Sequence, residues 1–169
     1  MAEKISTEEK KIWNILETVC DPEVPVLTIT DLGIVRDVKI DNSTSGDGGI
    51  EVIITPTYTG CPAMDMIAMN IKLALIENGY LKIKITSVLA PAWTTDWMTE
   101  DGKRKLKEYG IAPPQNESGR FNRPESFHVQ CPQCNSTNTK LISEFGSTAC
   151  KALYQCNDCK EPFDYFKCH

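Results

Sequence analysis

Two C-x2-C pairs near the C-terminus constrain this chain more than any other feature. Cys131 and Cys134 form one pair, Cys156 and Cys159 the other, and 21 residues separate them. A C-x2-C turn aims two thiolates at one point, and two such turns joined by a hairpin enclose a tetrahedral four-sulfur site. Zinc and iron centres both accept that ligand set, and a closed structural site favours zinc, the expected cofactor. A segment of about 40 residues buries too little apolar surface to fold alone, so the metal would supply much of its folding free energy. The strands expected between the pairs are "TKLISEF" and "KALYQC".

Cysteine usage is otherwise informative only in its distribution. Six of the eight cysteines lie after residue 130, which places a domain boundary ahead of them. The N-terminal stretch MAEKISTEEKK has no apolar core of a secretory signal, and no apolar run is long enough to cross a bilayer. The expected location is the cytoplasm, where thiols stay reduced and metal ligation is a better use of paired cysteines than disulfides. Cys150 reads as a small buried hydrophobe. The terminal Cys168-His169 pair stands between a frayed end and a soft-metal ligand pair, leaning to the former.

The net charge of −5 is concentrated before residue 100, while residues 127–169 balance their four lysines against four acidic residues. That excludes the basic footprint of a nucleic-acid binder, in the ribbon as elsewhere.

Ahead of the boundary, Ser6 and Glu9 form a capping-box pattern before Ile12, Leu16 and Val19, predicting a helix over about 7–19 that Asp21-Pro22 stops. "DPEVPVLTITDLG" reads as a loop with a short extended piece. Alternation in 33–40 and 50–55 around the turn-forming 42–49 predicts a hairpin. Met64, Ile67, Ala68, Ile71 and Leu75 predict a helix that begins at Pro62 and is capped by Gly79. Residues 81–89 alternate as a half-buried strand, and 94–110 predict a further short helix weakened by Gly102. The fold class is α+β: a small mixed sheet with helices packed on one face, followed by a four-cysteine zinc ribbon. The expected domains are 1–110 and 127–169, joined by a Pro-, Gly- and Ser-rich linker over 111–126.

Cys61, in "TPTYTGCPAMDM", can be packing, nucleophile or ligand. As the N-cap before Pro62 it would face free amides and the positive end of the helix dipole, an arrangement that favours a thiolate. A nucleophile needs a base, and the two histidines, His128 and His169, both lie in or beside the cysteine-rich segment. A ligand needs only the thiolate, with Cys20 as one companion. Asp21 and Glu23, on their residues alone, read as turn carboxylates.

"DPEVPVLTITDLGIVRDV" (21–38) followed by a strand and "TPTYTGCP" (55–62) resembles the SufT-like family of small domains that assist iron–sulfur protein assembly, over about residues 5–92. With "FGSTACKALYQCNDCKEPFDYFKCH" included, the chain is similar nearly throughout to the PaaD-type family found with phenylacetyl-CoA epoxidases. That resemblance implies an accessory factor rather than an enzyme, acting in maturation of the multicomponent epoxidase of aerobic phenylacetate degradation. Its partners would be the other subunits, the iron–sulfur flavin reductase or the di-iron subunit. Cys61 would then bind a transient cluster or iron, with Asp21 and Glu23 shaping its pocket, while Cys131, Cys134, Cys156 and Cys159 hold zinc. One thiolate per chain cannot hold a cluster alone, which suggests a homodimer. The alternative is a non-catalytic interaction subunit of the oxygenase complex with no metal transfer. The chain has no pair of E-x-x-H motifs for a di-iron centre and no G-x-G-x-x-G for a dinucleotide, which argues against oxygenase or reductase chemistry.

Overall fold

The computed structural model describes residues 7–41, 49–115 and 128–167. Ser6, Cys168, His169, most of the expected 42–49 turn and most of the expected linker lie outside them. Two compact units divide the chain, Met1–Trp93 and Thr94–His169.

In the first unit, Ile12 and Leu16 share one face of α1 (Thr7–Leu16) and are fully buried. The helix is shorter than its periodicity suggests because its end tightens. Glu17 N–H still reaches Trp13 O, but Thr18 and Val19 donate only three residues back, to Ile15 O and Leu16 O. The chain then runs through a loop closed by its own hydrogen bonds. Leu27, Ile29 and Leu32 are buried within it, and Ile29 N–H donates to Val19 O at 2.9 Å. Thr28 and Asp31 cap each other reciprocally: Asp31 Oδ2 accepts from Thr28 N–H at 3.1 Å, and Thr28 Oγ1 accepts from Asp31 N–H at 3.0 Å. Trp93 Nε1 donates to Leu32 O at 2.8 Å and pins the loop from outside.

The alternating residues form β1 (Val35–Ile40) and β2 (Ile50–Ile54), paired antiparallel, with a bulge between Val35 and Asp37. α2 (Ala63–Glu77) crosses over to β3 (Ile83–Ser87), which pairs parallel with β2 to give a mixed sheet of order β1-β2-β3. Ile50, Val52 and Ile54 point into the core that α1 and α2 share. On the other face Glu51 accepts from Thr86 Oγ1 at 2.6 Å and pairs with Lys84 at 2.8 Å. One face is therefore covered and the other wet, as the alternation implies. β3 is shorter than expected, and Leu81 and Leu89 beyond its ends are exposed.

α2 ends in a Schellman cap: Gly79, at φ 91°, donates to Ile76 O, and Tyr80 N–H reaches back to Leu75 O. The same motif closes α3 (Glu100–Glu108), where Gly110 stands at φ 92° and Ile111 N–H donates to Leu106 O.

The expected 94–110 helix is instead a 3-10 turn, Thr95–Trp97, then α3. Thr99 Oγ1 accepts the Gly102 N–H at 2.9 Å, so Gly102 sits in the first turn rather than weakening the middle. These residues group with the second unit, not with the first domain to which the sequence assigned them. Chain pairing reaches into the expected linker as well, because Ala112 bridges Tyr165 and donates to Asp164 O at 2.8 Å. The ribbon sheet has order β4-β5-β6, from β4 (Thr139–Ser143), β5 (Lys151–Cys156) and β6 (Pro162–Phe166), all antiparallel. β6 is an addition to the two expected strands. Its Phe163 and Tyr165 close a core with Ala112, Val129, Ala152 and Tyr154.

Candidate functional site

The two C-x2-C segments fold alike. Cys131 N–H donates to Ser136 O at 2.9 Å, and Cys156 N–H donates to Glu161 O at 3.0 Å. The residue after each second cysteine takes a left-handed conformation, Asn135 at φ 61° and Lys160 at φ 68°. Asparagine tolerates that region, whereas lysine is strained there, so the loop's other contacts must hold it. Gln130 Nε2 and Gln155 Nε2, each one residue before the first cysteine, donate to Asn135 O at 3.0 Å and Lys160 O at 3.2 Å. The loops are also tied to each other. Asp158 accepts from Ser136 Oγ and from Asn138 Nδ2, while Asn157 N–H donates to Asn138 O at 2.8 Å.

This framework places Cys131, Cys134, Cys156 and Cys159 with all four Sγ atoms within 4.8 Å of one another. Cys131 to Cys159 is 3.7 Å and Cys134 to Cys156 is 3.6 Å. A tetrahedron with Zn–S bonds of about 2.3 Å has edges of about 3.8 Å, so the donor set fits zinc. The Cys159 amide holds the Cys156 thiol down to about 7 against desolvation. The Glu161 amide draws Cys159 down too, but desolvation and the Cys156, Cys134 and Cys131 sulfurs push it up to about 12. Cys134 is likewise raised: the Ser136 amide lowers it, and desolvation with the neighbouring Cys156 and Cys131 outweighs that amide.

Cys134 and Cys159 at least would therefore have to give up protons to hold a zinc ion at neutral pH. Protonation competes with the metal, so affinity should fall as pH falls, by about tenfold per displaced proton per pH unit, or about 100-fold for two. Chelator competition across the neutral range measures this, and a slope clearly below two protons would contradict it.

Cys61 is built differently. Thr55 at the end of β2 and Pro56 start the loop, and Tyr58 to Cys61 make a type II turn: Cys61 N–H donates to Tyr58 O at 3.3 Å, and Gly60 at the third position has φ 82°. A side chain there would be strained even though space is open around it. The N-cap of α2 is Pro62, not Cys61. Cys61 stands one residue further out, half-buried, with its carbonyl accepting from Met64 N–H. Thr55 Oγ1, almost wholly buried, has no hydrogen-bond partner among the described residues, a feature not singled out from sequence.

Asp21 is buried, and its Oδ1 accepts from Glu23 N–H at 2.7 Å and Val24 N–H at 2.8 Å. It braces the turn that ends the first helical segment. Glu23 is half-buried and contributes its amide to that turn. Cys20 is exposed and pairs with Thr28 through its backbone. Among the described residues the ribbon quartet is the one gathering of three or more metal-type donors, and Cys61, Asp21 and Glu23 do not form another. Cys150 is buried, with its sulfur 3.0 Å from Thr148 Oγ1, outside the quartet. No helix among the described residues is long and apolar enough to cross a membrane.

Residues 9–79 match the family described as "Iron-sulfur cluster assembly protein", and residues 115–167 match the "PaaD zinc beta ribbon domain". Fold and site thus define an iron–sulfur assembly domain extended by a zinc ribbon. The Escherichia coli (strain K12) protein provisionally named as the D component of 1,2-phenylacetyl-CoA epoxidase is 52% identical over 94% of this chain and 92% of its own length. The chain belongs to the PaaD-type family that this protein represents. A Porphyromonas gingivalis (strain ATCC BAA-308 / W83) protein named Fe-S protein maturation auxiliary factor is 34% identical over 62% of this chain and 94% of its own. The crystal structure of a domain of unknown function, DUF59, from Bacillus anthracis shares 31% identity and a TM-score of 0.52, covering 58% of this chain and 90% of that one. Each of these two proteins is matched over nearly all of its own length but over only 62% or 58% of this chain.

Proposed function

We propose that the chain is an accessory, non-catalytic factor that passes iron or an iron–sulfur cluster through Cys61 to a subunit of the phenylacetyl-CoA epoxidase, while Cys131, Cys134, Cys156 and Cys159 hold a structural zinc. The observation that carries this reading is the placing of Cys61: one half-buried thiol, presented by a glycine turn at the start of α2, inside the segment that matches an iron–sulfur cluster assembly family. A resident cluster needs several ligands from its host. A single thiol with no second donor set around it among the described residues suits cargo that is held briefly and released. Asp21, whose carboxylate accepts from the Glu23 and Val24 amides, would act by fixing its own turn, with Glu23 a member of that turn. The 127–169 segment would be the docking domain, and its independence from the first core supports two separable modules.

The test is Cys61→Ser in cells that produce the epoxidase subunits. Iron and labile sulfide per flavin in the reductase, and iron in the oxygenase subunit, should fall toward the level of cells lacking the chain, with zinc content unchanged. Full loading of both clients would refute transfer and leave the interaction-subunit reading in place.

A further inference from the structure

α2 is apolar on two faces. Ile67, Ile71 and Leu75 are fully buried against the sheet, yet Met66, Met69, Leu73 and Ile76 on the opposite side are 53%, 55%, 49% and 48% exposed. Scattered exposed apolar residues are ordinary, but four in line on one helix are not. Their spacing is three, four, three: the a, d, a, d positions of a two-stranded seam. Asp65 and Lys72 then fall at g, and Asn70 and Glu77 at e.

From this register we infer that the outer face of α2 pairs with the same face of a second copy, the two helices parallel and in register. The charges choose the orientation. In a parallel pair each g position faces the following e position of the other helix, which sets Lys72 against Glu77 of the second copy twice over. In an antiparallel pair centred on the same seam, Lys72 would face its own copy and repel it. Lys72 and Glu77 are both exposed, and neither makes an ion pair within the described residues of its own chain. The seam is about 15 Å long, too short for a free-standing coiled coil. Here the helix is already held by the sheet, so association carries no cost of forming it.

Parallel pairing has a consequence for the cargo site. Cys61 lies two residues before the first residue of α2, so both copies would bring their Cys61 to the same end of the seam. That consequence rests on the function proposed above; the dimer does not. Sedimentation equilibrium reads the dimer, whereas client loading in the Cys61→Ser variant reads the cargo role, so one can fail without the other.

The experiment uses the full, zinc-loaded chain. The wild type should show a concentration-dependent monomer–dimer equilibrium. Lys72→Glu and Glu77→Lys alone should each weaken it about tenfold, because each sets like charges together twice. The double swap should return to within about threefold of wild type, and Leu73→Lys should abolish the dimer. Circular dichroism checks that these exposed substitutions leave the fold intact. A chain that stays monomeric up to its solubility limit, a dimer indifferent to Leu73→Lys, or a double swap no better than the singles would each overturn the inference.

Discussion

Cys156→Ser is expected to release the zinc and unfold the ribbon while the first unit stays folded. Cys156 is fully buried, lies 3.6 Å from Cys134 Sγ, and takes the Cys159 amide as a donor. Serine preserves an acceptor for that amide but not a thiolate, so the change isolates ligation from local hydrogen bonding. The ribbon has few alternatives to the metal. Among the described residues its buried cluster is eight residues, and two of those are Cys131 and Cys156 themselves. Structural zinc in small domains contributes on the order of 10 kcal/mol, more than a sheet of three short strands can replace. The first unit has its own apolar centre in Ile12, Leu16, Val52, Ile54, Ile67 and Ile71. Amide exchange on the full chain should show protection lost over 128–167 and kept in β2 and α2. Protection retained in β5 after zinc has gone would mean the aromatic core suffices.

How much of this was legible beforehand depended on whether chemistry or packing decided the feature. The four sulfurs were legible because thiol pairs with two residues between them have few other uses, and because their spacing constrains geometry directly. The helix over Ala63–Glu77 and its Gly79 cap were legible because periodicity and a left-handed residue are local signals. β6 was not legible although "PFDYF" alternates, because so short a run that opens on proline is a weak strand signal until β5 pairs with it. The residues 94–110 carry helical signals in either setting. Which core they join depends on Ala112 pairing with Tyr165, a contact 53 positions away in sequence, and no local pattern encodes it. The N-cap of α2 fell one residue from where the proline suggested, since Pro62 already has helical dihedrals at φ −68° and ψ −20°. That shift matters at Cys61: the thiol is placed by the Gly60 turn rather than by capping the helix.

Asp21 can be read as a ligand or as a brace, and the two readings part under substitution. Its carboxylate accepts from two backbone amides at 2.7 and 2.8 Å, one of them buried. Asp21→Ala strips both acceptor contacts and leaves those amides without compensation, a loss of about 2–4 kcal/mol in unfolding free energy of the first unit. Asp21→Asn keeps a carbonyl oxygen where Oδ1 stood, so both amides retain a partner and only the charge assistance goes, about 1 kcal/mol. Denaturant unfolding followed through Trp93, which is anchored to the same loop segment at Leu32, separates the two variants. A brace gives a large gap between alanine and asparagine in stability, with client loading following the stability. A ligand would reverse the pattern: both variants would unfold like wild type and both would lose loading, because asparagine replaces an anionic oxygen donor with a neutral one. Since the carboxylate is buried against amides and stands outside any cluster of metal-type donors among the described residues, the brace pattern is the expected one.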